Sequence, residues 1–182
     1  MDNHHSFIGG PQGQWRVTKI LPVLGEVLPA VTHLHVVNAP KLAVADAGQW
    51  LLQGFTSNVR YAVRSEVTQL RASQEGLGRS ASTLAALIPI KKNAAWWAMP
   101  QDERRAVFEE QSHHTAVGLE YLPQVARQLM HSRDLGEPFD FLTWFEFAPE
   151  HEASFDGLLA RLRASPEWTY VEREVDIRLA RA

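Results

Sequence analysis

The chain has 182 residues, 45% apolar and 21% charged, with a formal net charge of −3, the size and balance of one substantial globular domain. It has no cysteine, which excludes disulfides, thiolate-held metals, a cysteine nucleophile and covalent haem attachment. Its 18 Lys and Arg are scattered among 21 Asp and Glu, so it lacks the basic footprint of a nucleic-acid binder.

The start, MDNHHSFIGGPQGQW, has no basic segment leading into an apolar one, and no apolar run approaches the roughly 20 residues needed to span a bilayer. A cytoplasmic protein with no membrane partner is expected, and residues 1–14 read as a flexible lead-in that includes His4 and His5. WRVTKILPVLG alternates and is rich in branched residues, as a strand is, and HLHVVNA is a second short strand. QWLLQGFTSNVRYAV is β-prone with a kink at Gly54. SEVTQLRASQEGL has helical spacing at Val67, Leu70 and Leu77, with Ser65 placed to cap it. STLAALIPI is a short apolar run that suits a buried strand.

A long helix is expected from Pro100 to about Leu122, started by proline and the acidic QDE. Pro123 removes a donor and should end it, with a second helix, PQVARQLMHS, beginning there. FDFLTWFEF follows as a strand and PEHEASFDGLLARLRAS as an amphipathic helix. WTYVEREVDIRLA closes the chain as a half-exposed strand, with Val171, Val175, Ile177 and Leu179 on one face and Glu172, Glu174, Asp176 and Arg178 on the other. Strands and helices mixed in this order predict an α+β, ferredoxin-like fold with an antiparallel sheet backed by helices, in one compact domain.

Most familiar signatures fail. HEASF begins like a zinc-protease helix, but Phe155 stands where a second histidine is required. His33 and His35 share a strand face without a nearby third ligand. In a continuous helix over 101–122, His113 shares its side with Glu109, Glu110, Ala116, Val117 and Glu120, whereas His114 shares its own with Val107, Gln111, Val117, Gly118 and Tyr121. His113 therefore faces solvent and His114 the interior. A buried His114 is either a core histidine bonded to a backbone carbonyl or an axial metal ligand, since neutral imidazole in an apolar wall is what haem iron takes. Gly118, one turn on, would let a flat group come close. Arg127 alone reads as a solvated arginine, and Trp96–Trp97 as core rimmed by lysines.

Together, GFTSNVRY, LIPIKKNAAWWAMPQDERR, HHTAVGLEYLPQVARQL, DFLTWFEF and SPEWTYVEREV resemble, in order and spacing, the chlorite dismutase family from about Gln49 to the C-terminus. The resemblance implies a dimeric α+β barrel binding haem b, with residues 1–48 a truncated N-terminal segment of short strands and 49–182 the haem-binding ferredoxin-like domain. It implies an enzyme that decomposes chlorite to chloride and dioxygen through a ferryl and hypochlorite pair. His114 falls on the family's proximal ligand and Glu167 on the carboxylate behind it. Lys92, Trp96 and Tyr61 fall on residues of the haem edge and propionates, and Thr143 and Phe145 on the distal wall. Arg127 falls on the catalytic distal arginine. The related coproheme decarboxylases carry an uncharged residue such as glutamine there, so decarboxylation is the alternative that Arg127 opposes; a haem-binding or peroxidase-like protein is another. The short N-terminal part resembles the lineage that forms homodimers.

Overall fold

The computed structural model describes residues 3–38, 48–56 and 61–182. Its strands are β1 (His4–Gly10), β2 (Trp15–Leu24), β3 (His33–Val37), β4 (Trp50–Phe55), β5 (Leu84–Lys92), β6 (Ala126–His131), β7 (Phe141–Phe147) and β8 (Val171–Arg181). Its α-helices are α1 (Arg64–Ser73), α2 (Ala94–Ala98), α3 (Gln101–Arg105), α4 (His114–Leu119) and α5 (Glu152–Arg163). The strands close into an antiparallel barrel in the order β1-β3-β2-β8-β5-β7-β6-β4. The first four run β4-β1-β3-β2 and the last four β8-β5-β7-β6, so both halves repeat one pattern in which the fourth strand lies beside the first. Among the described residues, closure between β6 and β4 is thin, through the single pair Phe55 and His131.

Alternation along each strand divides the side chains between two cores. Phe7, Trp15, Leu34, Leu52, Leu87, Met130, Leu142, Trp144 and Ile177 fill the barrel interior. Ala86, Ile88, Ile90, Phe145 and Phe147 point outward from β5 and β7 and are covered by Phe155, Leu158, Leu159 and Leu162 of α5. Those four fall at i, i+3, i+4 and i+7, the apolar stripe of an amphipathic helix. Burying each contributes about 1.5–3 kcal/mol, which pins α5 to the sheet.

Several sequence expectations are overturned. Residues 4–10, including His4 and His5, are not a loose lead-in but β1, paired to both β3 and β4. Gly54 marks no kink: β4 passes through it, and a Cβ there would stand 2.7 Å from the Met130 side chain, so glycine serves a close strand approach. The cap of α1 is Val63 rather than Ser65, with the Glu66 carboxylate accepting the Val63 amide at 2.9 Å. The second helix expected after Pro123 is strand β6, because ladder pairing with β7 outweighs the helix preference of QVARQLM. The long helix over 100–122 is instead α3, a π-helical turn over Ala106–Gln111, a left-handed residue at His113 (φ 52°) and α4. The polar face of β8 is exposed only at Glu172: Glu174 and Asp176 are buried under α5, ion-paired to Arg163 and Arg178. Residues 57–60 of the GFTSNVRY motif lie outside the described residues. Among the described residues no helix is long and apolar enough to cross a membrane.

Candidate functional site

Between the outward face of the second half-sheet and its helices lies a cavity of about 520 Å³, within the range of cofactor sites. The β-ladder sets its sheet wall: Arg127 pairs with Phe145, Leu129 with Thr143, and Thr143 in turn with Ile88. All five side chains therefore share one face of the sheet and line the cavity. Phe108, His114 and Thr115 come from the opposite side, with Leu158, Leu159 and Leu162 of α5. A smaller chamber shares His114, Phe108 and Thr143 and adds Tyr61, Lys92, Trp96 and Glu167. The structure thus brings together every residue that the resemblance singled out.

His114 borders the cavity while His113 is exposed. That division agrees with the sequence reading, but its cause differs. The left-handed His113 breaks the helix and starts α4 afresh, so the two histidines are not neighbours on one continuous helix. The His114 ring stacks on Phe108 (centroids 4.3 Å apart) and its Nδ1 lies 2.6 Å from Glu167 Oε2. Nδ1 thus donates to the carboxylate, and the neutral form of the ring keeps its lone pair on Nε2.

Glu167 is only 4% exposed, and its second oxygen accepts from Lys92 Nζ at 2.7 Å. Burial works to raise its pKa, but the charges of His114 and Lys92 and their hydrogen bonds prevail and hold it at about 2. Lys92 departs from the propionate contact expected of it. Lys91 points out to Glu172, and Lys92, on the opposite face of β5, points in to Glu167, with Lys92 Nζ 4.4 Å from the Trp96 ring centre. Burial lowers the Lys92 pKa and Glu167 opposes that.

This pair sets an acid sensitivity. A carboxyl depressed from 4.5 to about 2 adds stability that is complete above about pH 4.5 and is lost as pH falls towards 2, on the order of 3 kcal/mol. Urea unfolding as a function of pH should therefore show a Glu167→Gln protein that is less stable at neutral pH and flatter between pH 4.5 and 2. An unchanged acid slope would refute the depressed carboxyl.

Trp96 is 1% exposed, and its indole N–H has no hydrogen-bond partner among the described residues. Tyr61 has φ 60°, stands edge-on to Trp96 at 5.9 Å and accepts a hydrogen bond from Arg104 on its hydroxyl. Arg127 is half-buried, and the surface it retains faces the cavity. Desolvation lowers its pKa to about 10, so it is a cation throughout the neutral range. No ion pair of its guanidinium is found among the described residues.

Sequence reasoning missed Phe108, Trp168 and His131, which line the cavity, and Glu109 and Ser112, which accept the backbone amides of Thr115 and Glu167 behind it. No spacing signal could have found the last two, because their role depends on the π-helical turn.

The chemistry of the donor set fits haem. Among the described residues no group of three or more His, Cys, Asp or Glu could hold a bare ion. One imidazole suits only a metal that arrives with its remaining ligands in a macrocycle. The unpartnered Trp96 N–H offers such a group a donor at its polar edge. At Gly118 a Cβ would stand 2.1 Å from Arg127 Nη1, so glycine lets the Arg127 guanidinium lie against helix α4.

A family model described as chlorite dismutase matches residues 35–182. The chain is 57% identical to a dimeric chlorite dismutase from Nitrobacter winogradskyi of known structure, with TM-score 0.92, covering 98% of this chain and 99% of that one. It is 28% identical to a chlorite dismutase structure from Candidatus Nitrospira defluvii, with TM-score 0.59, over 81% of this chain and 56% of that one. A chlorite dismutase of Ideonella dechloratans is 32% identical over 121 residues, 65% of this chain and 40% of that protein. The chain thus spans less than half the length of this curated relative.

Proposed function

Because the chain belongs to the chlorite dismutase family, we propose that it holds haem b in the sheet–helix cavity and decomposes chlorite to chloride and dioxygen. The observation that carries this reading is a carboxylate-backed imidazole, His114, and a cation, Arg127, lining one apolar cavity. The reaction balances without any other reagent: chlorite's chlorine leaves as chloride, and its two oxygens leave joined.

Bound haem supplies a redox-active iron, for which His114 Nε2 is the protein ligand. Glu167 accepts the Nδ1 proton's hydrogen bond, which fixes the tautomer and raises the basicity of the ring. Lys92 keeps Glu167 ionised and in place. The Trp96 N–H and Tyr61, in the smaller chamber, suit the carboxylates of the haem edge. Arg127 binds the substrate anion and holds charged oxychlorine species near the reacting centre, where low polarity strengthens the interaction. Thr143, Phe145 and Leu129 shape the remaining wall and limit water.

We also read β5 to β8, with the helices between them, as a ferredoxin-like unit, supported by the strand order β8-β5-β7-β6. On this reading the unit begins at β5, and β4 belongs with residues 1–48 to the other half of the barrel. A homodimer is proposed from the dimeric relative matched over nearly its whole length.

The test is an oxygen electrode. Haem-loaded protein given chlorite should release about one dioxygen per chlorite consumed. Protein that retains haem yet yields no oxygen would overturn this function and leave a haem-binding or peroxidase-like role. Conversion of coproheme to haem b with peroxide would instead favour the decarboxylase.

A further inference from the structure

Helix α4 has six residues, too few to hold one orientation by its own hydrogen bonds. Two side chains of the preceding turn supply what the helix lacks. Glu109 is 9% exposed, and its carboxylate accepts the amides of Thr115 at 2.6 Å and Ala116 at 3.2 Å. These are first-turn N–H groups with no partner inside the helix. Ser112 is 6% exposed, and its hydroxyl oxygen accepts the amide of Glu167 at 2.8 Å. One contact therefore grips the helix that carries His114, and the other grips the backbone that carries Glu167. They act at the two ends of the 2.6 Å His114–Glu167 hydrogen bond.

The π-helical turn makes this arrangement. It lies over Ala106–Gln111, and the Glu109 carbonyl then accepts the His113 amide at 2.9 Å, so the chain reverses into the left-handed His113. Glu109 and Ser112 end up on the inner side of that reversal. A buried carboxylate is costly unless its charge is answered. Among the described residues no ion pair of Glu109 is found, and backbone amides supply its hydrogen bonds. A serine or asparagine could cap a helix without that cost, whereas a carboxylate can accept two amides at once and hold the first turn in one rotation.

We propose that Glu109 and Ser112 are positioning residues: together they set the His114–Glu167 hydrogen bond and, through it, the donor strength of the imidazole. The proposal rests on the reading of His114 as the haem ligand. Neither residue touches substrate or cofactor, so each acts through the His114–Glu167 pair alone.

The test uses haem-loaded protein and reads haem loss to an excess of apomyoglobin, the ferric–ferrous midpoint potential, and the thermal midpoint. Ser112→Ala should lose haem about tenfold faster, in the range for loss of a metal ligand's supporting partners. Its midpoint potential should rise, because a slacker Glu167 leaves a weaker imidazole donor. Ser112→Thr, which keeps the acceptor oxygen, should restore both. Glu109→Ala should behave like Ser112→Ala, and Glu109→Gln should fall between it and wild type. Should the Thr variant fail to fold, the Glu109 pair decides. Variants with wild-type haem loss and potential, even with a lowered thermal midpoint, would show a merely structural role and overturn the proposal. A His114→Ala protein that kept its haem would remove the axial reading and this proposal with it. Loss of haem from His114→Ala beside indifferent Ser112 and Glu109 variants overturns this proposal alone.

Discussion

His114→Ala releases haem more than about 100-fold faster than wild type, whereas His113→Ala retains it, as followed by haem transfer and the Soret band. The magnitude follows from the chemistry, since even an outer partner of a metal ligand typically contributes about 10–100-fold in affinity, and here the ligand itself is removed. His114 borders the cavity with its Nδ1 on a carboxylate, while His113 sits exposed in a left-handed turn. His131, another histidine on the cavity wall, lies between the Phe55 and Phe141 rings, 6.5 and 5.5 Å away. A His114→Ala protein with a normal haem spectrum would disprove the axial assignment and point to His131.

Arg127→Ala lowers kcat/KM for chlorite by about 10²–10³, the usual effect of removing one preorganised charge stabiliser, yet leaves haem bound. Trappable hypochlorite rises and the enzyme bleaches after fewer turnovers, because no cation retains the charged species in the cavity. With its pKa lowered to about 10 by burial, Arg127 is charged below that pH and loses its charge above it. The wild-type rate should therefore fall through about pH 10, a fall that Arg127→Ala lacks. Oxygen yield and lifetime equal to wild type in that variant would remove Arg127 from the reaction.

Legibility in the sequence followed the range of the forces involved. Strands β5, β7 and β8 and helix α5 were readable because burial imposes a period, with apolar runs in the strands and the i, i+3, i+4, i+7 stripe of Phe155, Leu158, Leu159 and Leu162 in the helix. β6 was not, because QVARQLM carries no period-2 signal and becomes a strand only through its ladder with β7. β1 was hidden in a polar, glycine-containing stretch for the same reason, being a strand by virtue of β3 and β4 on either side.

The site divides along the same line. Local patterning in the sequence anticipated that His114 turns inward and His113 outward, though on a continuous helix that His113 in fact breaks, and the family motifs marked Arg127, Glu167, Lys92, Trp96, Tyr61, Thr143 and Phe145. Only the tertiary structure decided what those side chains do to one another. Lys92 supports Glu167 across a separation of 75 residues, and Glu109 caps the His114 helix because of one π-helical turn. A contact between distant segments and a break in regular helical bonding leave no period in the local sequence, so no periodicity records them.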